Sequence, residues 1–170
     1  TASIWIFRTV DTLQYVYFRG EPNGSSGDYL QFNAGGTVLW ASNFNTTDGK
    51  WTTAGKLALN KWHNIIVTYN ATNVNNNPSI YIDGDLQTLT ETQTPVGSYV
   101  VPATDDTISY AGAQAFDGYY ADLAVWNAVL DSDEVAKIYN NGIIQNLFSL
   151  DDSRSNLVAW WTFGLHPQDT

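Results

Sequence analysis

KWHNIIVTYNATNVNNNPSIYIDGDLQTL, residues 61–89, is the stretch whose reading decides the fold. From Trp62 onward, Ile65, Val67 and Tyr69 fall on one side of the chain and Asn64, Ile66 and Thr68 on the other. Period two with β-branched and aromatic residues predicts a strand. Residues 70–78 interrupt it with a run of Asn closing on Pro78, side chains that cap turns and tolerate left-handed backbone. Residues 79–82 make a second strand, and Asp83-Gly84 turns the chain into a third, residues 85–89. Asp-Gly between apolar strands predicts a two-residue type I′ turn, with positive φ at both central positions. Such a meander cannot hide its own apolar face, so a second layer is required.

The flanking sequence extends the same pattern. Residues 3–8 (SIWIFR) are apolar on both sides and predict a central strand, and residues 13–19 (LQYVYFR) predict another. Gly35-Gly36 marks a hairpin between residues 29–32 and 37–41, and residues 51–59 hold a further short strand. Pro95, Gly97 and Pro102 make residues 94–107 a long connection, with strands again at 107–110 and 119–126. One helix is predicted: Asp131 caps it, Glu134 completes a capping box, and Val135, Ile138 and Tyr139 form its buried stripe. Asn141-Gly142 stops it, and residues 156–163 (NLVAWWTF) predict a last strand, paired with the N-terminal one. Short strands at this spacing indicate a sandwich or barrel, not a parallel α/β sheet.

Composition narrows the function classes. The 170 residues fit a single domain, 1–170, and at 44% hydrophobic they can bury a substantial core. Only 14% are charged, so the polar surface is largely Asn, Thr, Ser, Gln and Gly, as in extracellular β-domains. A net charge of −10 opposes nucleic acid and anionic membrane as partners and suits a carbohydrate or a bound cation. Cys is absent, which excludes disulfides and thiolate chemistry. No apolar run approaches the roughly 20 residues of a membrane span. The chain opens at Thr1 almost inside a strand and reads as a module of a longer polypeptide carrying other domains.

Two blocks carry a family resemblance. In the first, Trp62-His63 opens an apolar strand that leads through a polar loop to Ile80-Tyr81-Ile82-Asp83-Gly84. In the second, Phe116-Asp117-Gly118 precedes the strand 119–126 and then Leu130-Asp131-Ser132-Asp133-Glu134-Val135. In this order they resemble the laminin-G-like domains of the concanavalin A-like superfamily, as found in phage and marine microbial surface proteins. The tail with Trp160-Trp161 resembles the segment that follows such modules. The resemblance implies an all-β jelly-roll sandwich of two antiparallel sheets with one short helix near the C-terminus. It implies a place outside the cell, on a cell or virion surface, and an acidic residue such as Asp122 held structurally in the late strand.

Catalytic constellations fail on the residues. Glucan-cleaving enzymes of this fold set carboxylates two apart on one strand, whereas Glu21, Glu91 and Glu134 are scattered and Glu134 already serves a cap. His63 sits on the core meander as a packed residue, and neither it nor His166 accompanies a G-x-S-x-G elbow. No catalytic residue is assigned. Calcium is the one cofactor considered. Asp105 and Asp106 in the long connection are the candidate ligands, with Asp28, Asp48 and Asp117 read as loop aspartates beside Gly. Trp5, Trp40, Trp62, Trp126 and Trp160 are assigned to packing. Trp51, Tyr99 and Tyr119 adjoin polar or Gly-rich stretches and could stack on sugar rings, with Asn75 and Asn76 reading hydroxyls. Asn23, Asn45 and Asn70 stand in glycosylation-acceptor triplets, which matter only in a eukaryotic source. The expected function is a non-catalytic recognition or adhesion module for glycans or glycoproteins. The alternatives are an assembly or decoration domain of a viral or surface-layer protein and, third, a glycan-degrading enzyme.

Overall fold

The computed structural model describes residues 1–20, 27–102, 106–109 and 113–164. Two six-stranded sheets face one another. The first runs β12 (Leu157–Trp161), β11 (Gly118–Trp126), β1 (Ala2–Arg8), β6 (Trp62–Thr68), β7 (Ser79–Ile82) and β8 (Asp85–Leu86). The second runs β10 (Asp106–Ile108), β2 (Gln14–Gly20), β3 (Gly27–Phe32), β4 (Thr37–Ser42), β5 (Gly49–Lys56) and β9 (Leu89–Gln93). All neighbouring strands are antiparallel. This is the jelly-roll sandwich.

The alternation in β6 explains the layering. Ile65 and Val67 face inward, with Ile4, Ile6 and Leu123, against Leu30, Phe32, Val38 and Trp51 of the other sheet. Ile66 faces the opposite way and joins Tyr81, Ala124 and Trp126 beneath Leu130, Val135, Ile138 and Leu147. The helix α1 (Ser132–Tyr139) thus covers the outer face of the first sheet. β1 and β6 are buried on both faces, as their continuous apolar runs require.

The Asp83-Gly84 turn has φ of 51° and 81°, the type I′ signature. It also organises what lies beneath it. The Asp83 carboxylate accepts from Asn64 N at 2.9 Å and lies 2.7 Å from His63 Nδ1. Ala58 N donates to His63 Nε2 at 3.1 Å, so Nε2 keeps its lone pair and Nδ1 carries the proton given to Asp83. His63 is an architectural residue. Burial, the largest influence on Asp83, pushes its carboxyl up, but the bonds from His63 and Asn64 with the charge of Lys61 outweigh it and leave it lowered. Past the turn, β8 ends at Leu86, and the predicted strand 85–89 splits as β9 crosses to the second sheet.

The capping box forms as the sequence predicts. Asp131 Oδ1 accepts from Asp133 N and Glu134 N, both at 2.9 Å, and Glu134 Oε2 accepts from Asp131 N at 2.9 Å. Asp131→Ala is expected to lower stability by about 0.5–2 kcal/mol, read from urea unfolding. An unchanged midpoint would show that the cap contributes nothing. Beyond α1 the chain makes only short helical turns, including α2 (Asp151–Arg154).

The last strand departs from expectation. β12 pairs with β11, not with the N-terminal strand, because β11 and β6 already occupy both edges of β1. The first sheet is therefore open, with β12 at its edge. Asp122 explains the attachment. Between Ser3 and Trp5 the β1–β11 register shifts by an extra β11 residue, and Asp122 takes φ of 44° at this bulge. Its buried carboxylate accepts from the Trp160 indole at 2.8 Å.

Candidate functional site

The sandwich is not filled at one end. Where β1 begins and β6 and β11 finish, the layers part around a cavity of about 480 Å³. The first sheet contributes Ala2, Val67, Val125 and Trp126, and the β6–β7 loop adds Tyr69 to Thr72. The second sheet contributes Tyr17, Arg19, Asp28 and Trp40, with Tyr99 from the long connection. The walls are aromatic, and Arg19, Thr72, Asn127 and Val129 form an exposed rim.

One buried carboxylate fixes the second-sheet side. Asp28 is 4% exposed; Oδ1 accepts from Ser42 Oγ at 2.8 Å and Asn43 N at 3.0 Å, and Oδ2 from Tyr99 Oη at 2.7 Å. Burial pushes its carboxyl up, opposed by those three bonds and by the Arg19 charge, and the net direction is upward. Tyr99 is further held by an edge-on contact with Phe44 and by the bridges Phe44–Tyr99 and Thr47–Val96. Tyr17 Oη donates to Asp106 at 2.7 Å. Burial, then the charges of Asp28 and Glu91, push the Tyr69 hydroxyl up to about 12, so it is a donor at neutral pH.

The residues singled out from sequence divide. Tyr99 lines the cavity, half-buried, with its hydroxyl committed to Asp28. Trp51 does not: it is 1% exposed, in the inter-sheet core, with Nε1 donating to Asn77 at 2.8 Å. A ring so enclosed presents no face to a sugar, which corrects its assignment as a stacking residue. The polar, Gly-containing stretch before it suggested an exposed ring, but the side chain turns inward from β5. Asn75 and Asn76 sit on the β6–β7 loop beyond the cavity lining. The Asn76 amide is spent on Asn70 O at 2.8 Å, while Asn75 is exposed. Tyr119 is exposed at the start of β11 and touches Phe7.

Of the candidate metal ligands, Asp105 lies outside the described residues, as do Glu21 and His166. Asp106 is exposed on β10 and engaged by Tyr17. Asp28 belongs to a strand, not to a loop, and Asp48 and Asp117 accept from Phe44 N and Thr9 Oγ1. Among the described residues no group of three or more His, Asp or Glu could hold a metal ion. Glu91 on β9 and Glu134 on α1 lie on different layers of the molecule.

The site residues not assigned to the site from sequence are Arg19, Tyr17, Tyr69 and Trp40. Arg19 had a legible signal: two residues after Tyr17 it shares that inward face, which puts a cation where the core meets solvent. Trp40 and Trp126 were read as packing, which they also do.

Three solved structures share the architecture. A heptameric SAP-like pentraxin from Limulus polyphemus aligns at TM-score 0.59 and 14% identity, over 81% of this chain and 68% of its own. A candidate carbohydrate-binding protein from Bacteroides ovatus aligns at TM-score 0.65 and 13% identity, over 96% and 45%. The receptor-binding domain of botulinum neurotoxin D aligns at 0.55 and 18%, over 85% and 37%. The chain thus spans less than half of the latter two, and identities this low show the fold alone. No curated protein sequence matches the chain. A laminin G family model, Concanavalin A-like lectin/glucanases superfamily, matches residues 1–136, and the chain belongs to that family.

Proposed function

We propose that this domain is a non-catalytic carbohydrate-binding module that receives a glycan in the end cavity. The carrying observation is the cavity itself, about 480 Å³ walled by Trp and Tyr side chains with polar residues at its mouth. Its volume is in the range of small-ligand sites, and aromatic faces with a few fixed polar groups suit the C–H faces and hydroxyls of a pyranose. The carbohydrate-binding neighbour and the lectin superfamily support this reading. The module acts at a cell or virion surface as part of a longer chain. No helix among the described residues is long and apolar enough to cross a membrane.

A glycan array, run with and without calcium, tests the proposal together with Ala71→Trp. Ala71 lines the cavity from the β6–β7 loop, and a large side chain there fills it without entering a sheet. The expected result is binding by the wild type and at least tenfold weaker binding by the variant at an unchanged melting temperature. Calcium dependence would add Asp106 and Asp105 to the site. An array blank in both conditions, or full binding by Ala71→Trp, would overturn the cavity reading. One observation favours the assembly alternative: Val158, Trp161 and Phe163 are exposed at and beyond the open-edge strand β12. Concentration-dependent self-association in sedimentation velocity, abolished by Trp161→Lys, would support it.

A further inference from the structure

The cavity's hydrogen-bonding capacity is unevenly spent. Its one lining carboxylate, on Asp28, already holds donors from Ser42, Asn43 and Tyr99 on its two oxygens. On the loop side, Asn70 Oδ1 is taken by Thr72 N and Oγ1. Trp40 Nε1 and Tyr69 Oη have no hydrogen-bond partner among the described residues, but both atoms are fully enclosed behind the cavity wall.

Arg19 is the donor that lines the cavity and faces solvent at its mouth. Its neighbours in register are Asp28 on β3 and Asp106 on β10. Both turn to tyrosine hydroxyls instead, Asp28 to Tyr99 and Asp106 to Tyr17. No ion pair joins Arg19 to any described residue. It lines the cavity together with Tyr17, Asp28 and Tyr99, and its charge acts on all three. The result is a planar fork of five N–H donors on the rim, with no ion-pair partner among the described residues while its carboxylate neighbours in register are engaged by tyrosines.

We infer, resting on the glycan-binding reading of this cavity, that its ligand is a sugar bearing a carboxylate, seated on Arg19 with its ring against the aromatic walls. A carboxylate supplies acceptors in the geometry a guanidinium fork matches. The chain's net charge of −10 limits the ligand further. Screening confines Arg19's attraction to within about 8–10 Å, beyond which an extended polyanion would meet an acidic surface. A single acidic residue on an otherwise neutral oligosaccharide satisfies both conditions. The carboxylate comes from a uronic acid or from a sialic acid.

Titration calorimetry with two matched pairs distinguishes these sources: aldotetraouronic acid against xylotetraose, and sialyllactose against lactose. The expected result is at least tenfold tighter binding of one acidic member over its neutral counterpart. Arg19→Gln should reduce the acidic ligand to the level of its neutral counterpart. Arg19 is exposed, so the melting temperature of this variant reports that the fold is intact. Equal affinity within both pairs, or an acidic ligand indifferent to Arg19→Gln, overturns this inference while the glycan reading stands. Failure of every glycan on the array removes that reading as well.

Discussion

Trp51→Ala is expected to destabilise the domain by about 3–5 kcal/mol, the range for removing a large aromatic side chain from a core. The ring is 1% exposed and lies against Tyr69 with centroids 5.4 Å apart. Gly49 leaves the space it fills, since a Cβ built there would meet the ring at 2.2 Å. Its indole also ties β5 to Asn77 at the end of the Asn-rich loop. Trp51→Phe keeps most of the apolar volume but loses that bond, so it should cost markedly less. Urea unfolding of both variants checks the order. A Trp51→Ala protein of native stability that had lost a glycan ligand would return Trp51 to the binding surface.

The second large effect belongs to Asp28. Asp28→Ala strands Ser42 Oγ, Asn43 N and the half-buried Tyr99 Oη, and at roughly 1–3 kcal/mol for each unsatisfied group the gross loss is about 3–9 kcal/mol. Relief of the desolvated carboxylate offsets part of it, so Asp28→Asn, which retains an acceptor, should lose less. The pH dependence has a definite sign. Burial raises the folded-state carboxyl above its ordinary value of 3.8, so the folded chain holds this proton more tightly than the unfolded one. The group's contribution is most favourable below 3.8 and declines as pH rises through the raised value. The advantage of wild type over Asp28→Asn should therefore be larger in acid and shrink toward neutrality. Asp83, lowered, acts in the opposite sense: its contribution is present above 3.8 and lost as pH falls through the folded value. An Asp28→Asn gap that widened with rising pH would contradict the assignment of burial as the dominant influence.

The layers were legible because the determining signals are local. Period two in residues 62–69 placed Ile65 and Ile66 on opposite faces, and both found cores. Asp83-Gly84 and the Asp131–Glu134 box rest on short-range geometry and formed as expected. The position of β12 was not legible, because which edge a strand joins depends on which edges are free after the rest has folded. The cavity was harder still. Arg19, Asp28, Tyr69 and Tyr99 lie far apart in sequence and meet only through the crossing of two sheets. Trp51 misled for a related reason: neighbouring Gly and Asp describe the turn before it, whereas its burial is decided by Gly49, Tyr69 and Asn77.

The outer layer over the first sheet has a consequence for where such a module can be cut. The family match ends at residue 136, inside α1, yet Ile138 and Leu147 lie beyond it and help to cover Ile66, Tyr81, Ala124 and Trp126. A chain truncated at that boundary would keep most strands of both sheets and lose half of the lid on one. It would bare a contiguous apolar strip beside the β11 edge that β12 had occupied, the combination that drives sheet proteins to join edge to edge. Aggregation on truncation, relieved by restoring residues 137–161, would mark the C-terminal segment as the protective cover of the sandwich.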